Sequence, residues 1–380
     1  MQHNHVRQAE KRAERRSDVG VAPRVERAPQ AAEAVGKRAQ VRFAVIGFGY
    51  WGPQLVRNLD RLAMGEVAYI ADLSPERRQI AQLEFPTARV TDDVEAVLRS
   101  DVDAIAVATP IRTHYKLARA ALEAGKHVFV EKPLAATAAE AEELYALSER
   151  VGRVLMVGHT FVYNPAVEKL RQIVQSGELG RLYYIDAIRV NLGLFQPDIN
   201  VMWDLAPHDL SILDYLLGIR PESVSAHGSD FIRPGIHDVV YMTLRYPSGL
   251  LAHIHMSWLN PSKVRRFTVV GENKMVVYDD VEATEKIRVY NRGVDAPSHT
   301  STFGEFQLSY RYGDIVSPHI QWSEPLSLEC RHFAQAITEG VPSRSGGRDG
   351  LRVVRVLEAA DRSLADSGRA VPITWGEVDA

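Results

Sequence analysis

The stretch VRFAVIGFGYWG at residues 41–52 constrains this chain most, because it runs an apolar strand straight into a glycine turn. Five of its first six residues are apolar, the pattern of a strand buried on both faces of a parallel sheet. Gly47, Gly49 and Gly52 follow in G-x-G-x-x-G spacing, and Pro53 suits a first helical turn. The first glycine permits a tight turn, the second lets backbone approach a pyrophosphate, and the third allows the helix to pack on its strand. Free N–H groups at the helix start then face the anion. Three glycines alone carry little weight. With a strand before them, a helix after them and an acid downstream, they predict a dinucleotide site at Gly47, Phe48, Gly49, Tyr50, Trp51 and Gly52.

That acid is Asp72, twenty residues beyond Gly52, at the end of a second apolar run over 66–71. A carboxylate there accepts hydrogen bonds from the adenosine ribose hydroxyls and repels a 2′-phosphate. The expectation is therefore NAD, with NADP less favoured. Arg77 and Arg78 argue the other way, since a nearby guanidinium can hold a 2′-phosphate. Locally, Asp72 also reads as a strand-end turn or a cap for a helix over 74–82.

At 380 residues the chain is long enough for two cores, and its 46% hydrophobic and 24% charged residues are those of an ordinary globular protein. A net charge of −3 gives no reason to expect nucleic acid, and no apolar run reaches the length of a membrane span. The single cysteine, Cys330, excludes an intrachain disulfide and a cysteine-based zinc cluster, and reads as a small packed hydrophobe. No metal site is expected, and a cytoplasmic enzyme is the default. Residues 1–40 carry nine Lys or Arg against five Asp or Glu, without a sustained helical stripe. They read as a disordered extension, with a contact arm inside an oligomer as the alternative; Arg15 and Arg16 lack the hydrophobic segment of an export signal.

Beyond the glycine turn, strand and helix alternate. A strand over 103–108, a helix over 114–124 closed by Gly125, a strand over 127–130, an Ala/Glu-rich helix over 137–151 and a strand over 153–157 predict repeated βα units. The pattern changes near residue 160. A helix over 166–176 ending at Gly177, a strand over 182–190 and a helix over 204–217 precede strands over 239–246, 250–258, 265–270 and 275–278. Pro247, Ser248 and Gly249 are the turn between the first two of that group. Helices over 326–339 and 349–366 close the chain, with Ser345, Gly346 and Gly347 as their hinge. The fold class expected is α/β: a Rossmann-type doubly wound parallel sheet over 41–160, then an α+β domain over 161–380 with a mostly antiparallel open sheet. The late helices are placed to pack back on the first domain. In the strand over 250–258, Ala252, Ile254, Met256 and Trp258 share one face, and His253 and His255 the other. Without a carboxylate or cysteine near in sequence, the two histidines read as an outer sheet face or subunit contact rather than a metal pair.

Two segments carry residue types suited to chemistry. Glu131, Lys132 and Pro133 follow the strand over 127–130, and the carboxyl end of such a strand faces the ligand crevice. A lysine there reaches a bound substrate, although a solvated turn fits the local sequence equally. In the segment WDLAPH, Asp204 and His208 stand four apart and share a helical face. Pro207 sets the expected helix start near Asp204, which leaves open a plain N-cap for Asp204 and an ordinary first-turn role for His208. A helix N-terminus lowers the pKa of His208 and the Asp204 carboxylate raises it. Upstream, Arg189, Asn191, Asp198, Asn200 and Trp203 form a polar-aromatic segment suited to a polyhydroxylated ring.

The glycine turn, Thr109 and Pro110, Glu131 with Lys132 and Pro133, and the Asp204/His208 pair together resemble the Gfo/Idh/MocA oxidoreductases over about residues 41–370. The resemblance implies Lys132 as active-site lysine, Asp204 as motif aspartate and His208 as catalytic histidine. It places Thr109, Pro110 and His114 beside the nicotinamide half of the cofactor, with Glu131 next to them, and implies a homo-oligomer, dimer or tetramer. The chain departs from the common pattern in having Ser211 three residues after His208, and in the segment HTFVYNP at 159–165. Tyr163, Asn191 and Trp203 are the substrate candidates. The activity implied is reversible NAD-dependent oxidation of a ring secondary alcohol on a sugar, cyclitol or sugar-containing metabolite such as a nucleotide sugar or aminoglycoside. The alternatives are an enzyme that retains NAD and uses transient oxidation for net hydrolysis or epimerisation, and a non-catalytic NAD-binding regulator. Intact Lys132 and His208 speak against the last.

Overall fold

The computed structural model describes residues 40–193, 195, 199–295 and 309–376. Apart from residue 40, the basic extension lies outside the described residues, and so does Asp198. Strands β1 (Val41–Ile46), β2 (Gly65–Ala71), β3 (Arg89–Thr91), β4 (Ala104–Val107), β5 (His127–Val130) and β6 (Leu155–Val157) form a parallel sheet in the order β3-β2-β1-β4-β5-β6. Helices α1 (Gly52–Asp60), α2 (Pro75–Glu84), α3 (Val94–Leu98), α4 (Ile111–Glu123) and α5 (Ala138–Val151) connect them. All four residues of β4 are buried, as their unbroken apolar sequence requires. Thr137 caps α5 by accepting from the Glu140 N–H, and left-handed Gly152 ends it. Strand order reverses between β1 and β4, so the ligand crevice of such a sheet opens beyond the ends of these strands.

After a 3₁₀ turn at Thr160–Tyr163 come α6 (Pro165–Gln175), β7 (Leu182–Leu192), α7 (Val201–Leu217), β8 (Ser223–Ser229), β9 (Val239–Arg245), β10 (Leu251–Ser257), β11 (Leu259–Gly271), β12 (Met275–Asp279) and β13 (Ile287–Tyr290). β14 (Gly293–Asp295) pairs with β15 (Ser309–Arg311), and β16 (Ile315–Val316), α8 (Pro325–Glu339), α9 (Gly347–Ala365) and β17 (Val371–Pro372) follow. Among the described residues the second sheet has the order β16-β13-β12-β11-β7-β10-β9-β8-β17. It is antiparallel throughout except where β7 meets β10.

The β10 alternation holds through Met256: Ala252, Ile254 and Met256 are buried, as is Trp258 just beyond the strand, while His253 and His255 stand on the outer face, where Tyr241 stacks 4.4 Å from His255. Ser257, expected on that outer face, is buried. No group of three metal-ligating side chains occurs among the described residues. Nor, among them, is any helix long and apolar enough to cross a membrane.

Two local expectations are corrected. α7 begins at Val201 rather than Asp204, because Asn200 caps it by accepting from the Trp203 N–H at 3.1 Å. Pro207 is therefore inside the helix, where it offers no N–H to the Trp203 carbonyl. Ser345 and Gly346 lie in the connection between α8 and α9, as expected, and Ser345 is pinned to the edge of the first sheet. Val157 N–H donates to its carbonyl at 2.7 Å, and its hydroxyl donates to the Val157 carbonyl at 2.8 Å. α8 lies against the first sheet, with the Phe333 ring 6.0 Å from Phe43 and 5.8 Å from Phe129, and Cys330 is buried beside them.

Candidate active site

The glycine turn has the geometry its residues call for. Gly47 sits at φ +98°, and a Cβ there would lie 2.4 Å from the Ala108 carbonyl oxygen. A Cβ on Gly52 would lie 2.3 Å from the Gly47 carbonyl oxygen, so the helix start closes on the turn. Gly49 differs: its nearest neighbour is Arg77 Nη1 at 3.6 Å, which leaves room for a ligand to approach backbone. Asp72 closes the turn from below. Its two oxygens accept from the Phe48 N–H at 2.7 Å and the Ser74 N–H at 2.8 Å, with Arg77 Nη1 3.7 Å away. The cap of α2 is Ser74, not Asp72. Tyr50 and Trp51 project outward, 76% and 38% exposed, but the Phe48 side chain is core, packed edge-on against Phe85. These residues fit a dinucleotide: an open glycine, a helix start and an ordered carboxylate converge on one crevice.

Thr109 and Pro110 follow β4, and Pro110 occupies the cap position of α4. His114 does not face this crevice as expected. It is 1% exposed, with Nδ1 2.8 Å from the Pro133 carbonyl and Nε2 2.7 Å from the Thr109 carbonyl. It braces the loop after β4 against the cis Lys132-Pro133 turn. Burial pulls its pKa down, opposed by the two carbonyl acceptors. Glu131 is buried too, and burial raises its carboxyl pKa to about 7.

Lys132 and Asp204 meet. The ammonium donates to the Asp204 backbone carbonyl at 2.7 Å and to its Oδ1 at 3.1 Å, while the Trp258 indole N–H donates to Oδ2 at 3.1 Å. Lysine thus ties β5 of the first sheet to the first turn of α7. His208 stands one turn further along that helix, its ring 5.0 Å from Phe161 and its Nδ1 enclosed with no protein partner. Its pKa is held well below the ordinary imidazole value, first by burial and then by the positive charges of Lys132, Arg189 and Arg265. The depression expected from a helix terminus therefore has another origin, and Asp204 is engaged elsewhere.

Arg189 belongs to this support rather than to an open polar segment. It is 3% exposed and pairs bidentately with Asp209, Nη2 to Oδ1 at 2.6 Å and Nε to Oδ2 at 3.0 Å, with its guanidinium 4.4 Å above the Phe161 ring. Asp209 is the residue after His208, so the pair fixes the turn that presents the imidazole.

The three substrate candidates separate. Tyr163 is 4% exposed, with its hydroxyl 3.2 Å from Ser345 Oγ; among the described residues no hydrogen bond or ring contact joins it to Lys132, Asp204 or His208. Its residue type suited a sugar, but its position is core. Asn191 lies on β7 two residues from Arg189, its amide donating to the Leu192 carbonyl at 2.9 Å. The Trp203 indole donates to Asp361 at 2.6 Å and borders an open cleft of about 640 Å³ together with Arg112, Asn200 and Ile236. Phe161 and Trp258, which contact His208 and Asp204, were not among the sequence candidates. Phe161 lies within the divergent segment 159–165, the one sequence signal that pointed there.

Residues 41–159 match the oxidoreductase family GFO_IDH_MocA, described as having an NAD-binding Rossmann fold, and residues 167–277 match the GFO/IDH/MocA C-terminal domain. UDP-N-acetylglucosamine 3-dehydrogenase of Acidithiobacillus ferrooxidans is 30% identical over 257 residues, 67% of this chain and 78% of that protein. Inositol 2-dehydrogenase 2 of Paenarthrobacter aurescens is 28% identical over 351 residues, 88% of this chain and 99% of the relative. A crystal structure of the A. ferrooxidans enzyme, GnnA, superposes with a TM-score of 0.71 at 26% identity, covering 86% of this chain and 98% of that one. With both halves of the family matched in order along it, the chain belongs to the Gfo/Idh/MocA oxidoreductases.

Proposed function

We propose that this oxidoreductase oxidises a ring secondary alcohol of a sugar, cyclitol or sugar-containing metabolite to the ketone, reversibly, with NAD. The observation that carries the reading is the joining of Lys132 to Asp204 beside a neutral, half-buried His208. The names of the relatives, an inositol dehydrogenase and a nucleotide-sugar dehydrogenase, support the substrate class. The two ordered hydrogen bonds to Asp72 support NAD, since the carboxylate suits ribose hydroxyls and repels a 2′-phosphate.

Gly47, Gly49, Gly52 and Asp72 would hold the dinucleotide, and Thr109 and Lys132 would flank its reactive end. When bound, nicotinamide supplies the hydride acceptor. His208 takes the hydroxyl proton, a role that requires the neutral imidazole its surroundings enforce. Lys132 hydrogen-bonds the reacting oxygen and stabilises its developing charge. Asp204, fixed by Trp258, sets the position of the lysine ammonium. The exposed Tyr184, Tyr241 and Leu251 on the outer face of the second sheet suit contact with a second copy of the chain.

The test is absorbance at the reduced-nicotinamide band with NAD or NADP and a panel of inositols, free sugars, nucleotide sugars and aminoglycosides. A signal with NAD and one class is the expected result. Silence throughout, without NAD binding in a separate titration, would overturn the reading.

A further inference from the structure

Two imidazoles beside Lys132 have enclosed ring nitrogens with no protein partner: Nδ1 of His208 and both nitrogens of His159, a side chain 1% exposed. His159 follows β6 by two residues. The N–H of Gly158 donates to the Val130 carbonyl at 2.8 Å, which sets His159 beside the β5 turn that carries Lys132. Charge on His159 disfavours charge on His208, and Lys132 acts on both rings in the same sense. Buried polar atoms left without any partner are costly, so water is the natural occupant of such positions.

His159 also lines a cavity of about 200 Å³ between α6, α7 and the start of α9. Its other walls include Ser211, Tyr215, Ser345 and Asp349, a polar lining of the kind that favours water over a dry void. Ser211 lies three residues after His208, and its hydroxyl donates to the His208 carbonyl at 2.8 Å. The cavity therefore runs from His159 to the helical turn that presents His208.

We infer that His159 and this hydrated cavity form a proton conduit serving His208. The inference rests on the dehydrogenase reading, in which the bound alcohol covers the exposed part of the His208 ring and leaves its interior side as the way out. The alcohol's hydroxyl proton enters on Nε2. A second proton leaves Nδ1 for a bridging water, which passes one of its own to His159. That ring takes it on one nitrogen and releases another from the second nitrogen to cavity water. Only N–H and O–H bonds are exchanged, and the two electrons leave separately with the hydride. The charged groups around the rings are Lys132 and Glu131 from the β5 turn, Arg189 from β7, Arg265 from β11 and Glu329 from α8. At the cavity they are Arg171, Asp214, Arg344, Asp349 and Arg352.

Exchange of imidazole N–H protons with water, measured by NMR on the full chain with ¹⁵N-labelled histidine, tests the conduit without turnover. His114 is the internal comparison, since it is equally buried but has both nitrogens on carbonyls. His159, assigned from the signals lost in His159→Asn, is expected to exchange at least about tenfold faster than His114 (a 1.4 kcal/mol difference in barrier). Exchange as slow as that of His114 overturns the conduit, whatever the alcohol panel shows. With an alcohol the wild type oxidises, His159→Ala is expected to form reduced nicotinamide at the normal rate in the first turnover. Steady-state turnover then falls at least about tenfold, and added imidazole restores it. Unchanged steady-state turnover also overturns the conduit. Fast exchange together with a wild type silent on every alcohol supports the hydrated route and counts against the dehydrogenase reading alone.

Discussion

The Trp258 indole and the Lys132 ammonium hold opposite oxygens of the Asp204 carboxylate, each at 3.1 Å. The indole comes from the residue between β10 and β11 and the ammonium from the turn after β5, so a single side chain on α7 takes its orientation from both sheets. Trp258→Phe keeps the packing and removes the N–H. A hydrogen bond to a charged group contributes roughly 1.5–3 kcal/mol, so turnover is expected to fall about 10- to 150-fold. Kinetics beside a thermal melt check this; an unchanged kcat would mean that Asp204 is held without the indole.

Lys132→Ala and His208→Ala are expected to lower turnover by about 10²–10⁴-fold, the usual contribution of positioned acid–base groups. NAD affinity, read by fluorescence titration, should change little in either variant, because the glycine turn and Asp72 are untouched. Loss of NAD binding in both would reassign these side chains to the cofactor.

Gly47→Ala combines a backbone at φ +98° with a methyl placed 2.4 Å from the Ala108 carbonyl. A destabilisation of about 1–3 kcal/mol or more is expected from the backbone alone. Denaturant unfolding measures it, and a parallel NAD titration should show binding lost.

Asp72→Ser removes the charge that disfavours a 2′-phosphate while leaving Arg77 in place. The ratio of kcat/KM with NAD to that with NADP is expected to fall by about tenfold or more, the equivalent of 1.4 kcal/mol. A ratio that does not move would assign the discrimination to another group.

Stability should also respond to pH in opposite senses at Glu131 and His159. Burial raises Glu131 from 4.5 to about 7, so its stabilising contribution is complete below pH 4.5 and lost as pH rises through 7. Glu131→Gln should therefore gain on the wild type between pH 5 and 8, by roughly 3 kcal/mol at most. Burial lowers His159 from 6.5 to about 3, so its contribution is complete above pH 6.5 and lost as pH falls from there toward 3. His159→Asn should gain on the wild type as pH falls below 6.5. Melting temperatures across pH check both directions.

What the sequence made legible follows from how local each signal is. The glycine spacing, the acid after β2, the lysine after β5 and the Asp204/His208 spacing each lie within one or two elements, and the structure keeps their order. Trp258 and Asp204 are 54 residues apart, and Arg189 and Asp209 are 20 apart on different elements; no periodicity reports such pairs. His114 came from the family resemblance, and no local signal reports that its ring is buried between two backbone carbonyls. Pro207 misled by suggesting a helix start that Asn200 sets earlier. β8, with the sequence SVSAHGS, has too little apolar character to announce a strand and exists by pairing with β9.

The placement of Phe333 against Phe43 and Phe129 has a consequence for synthesis. Chains emerge from the ribosome N-terminus first, and domains tend to fold in that order. Here one wall of the earliest core is made by α8, nearly three hundred residues after β1. Until that helix emerges, Phe43 and Phe129 lack the Phe333 ring, and their cluster lacks Leu326, Cys330 and Ala334. The nascent protein must therefore carry an unfinished apolar surface through most of its translation, a period in which a chaperone has something to hold.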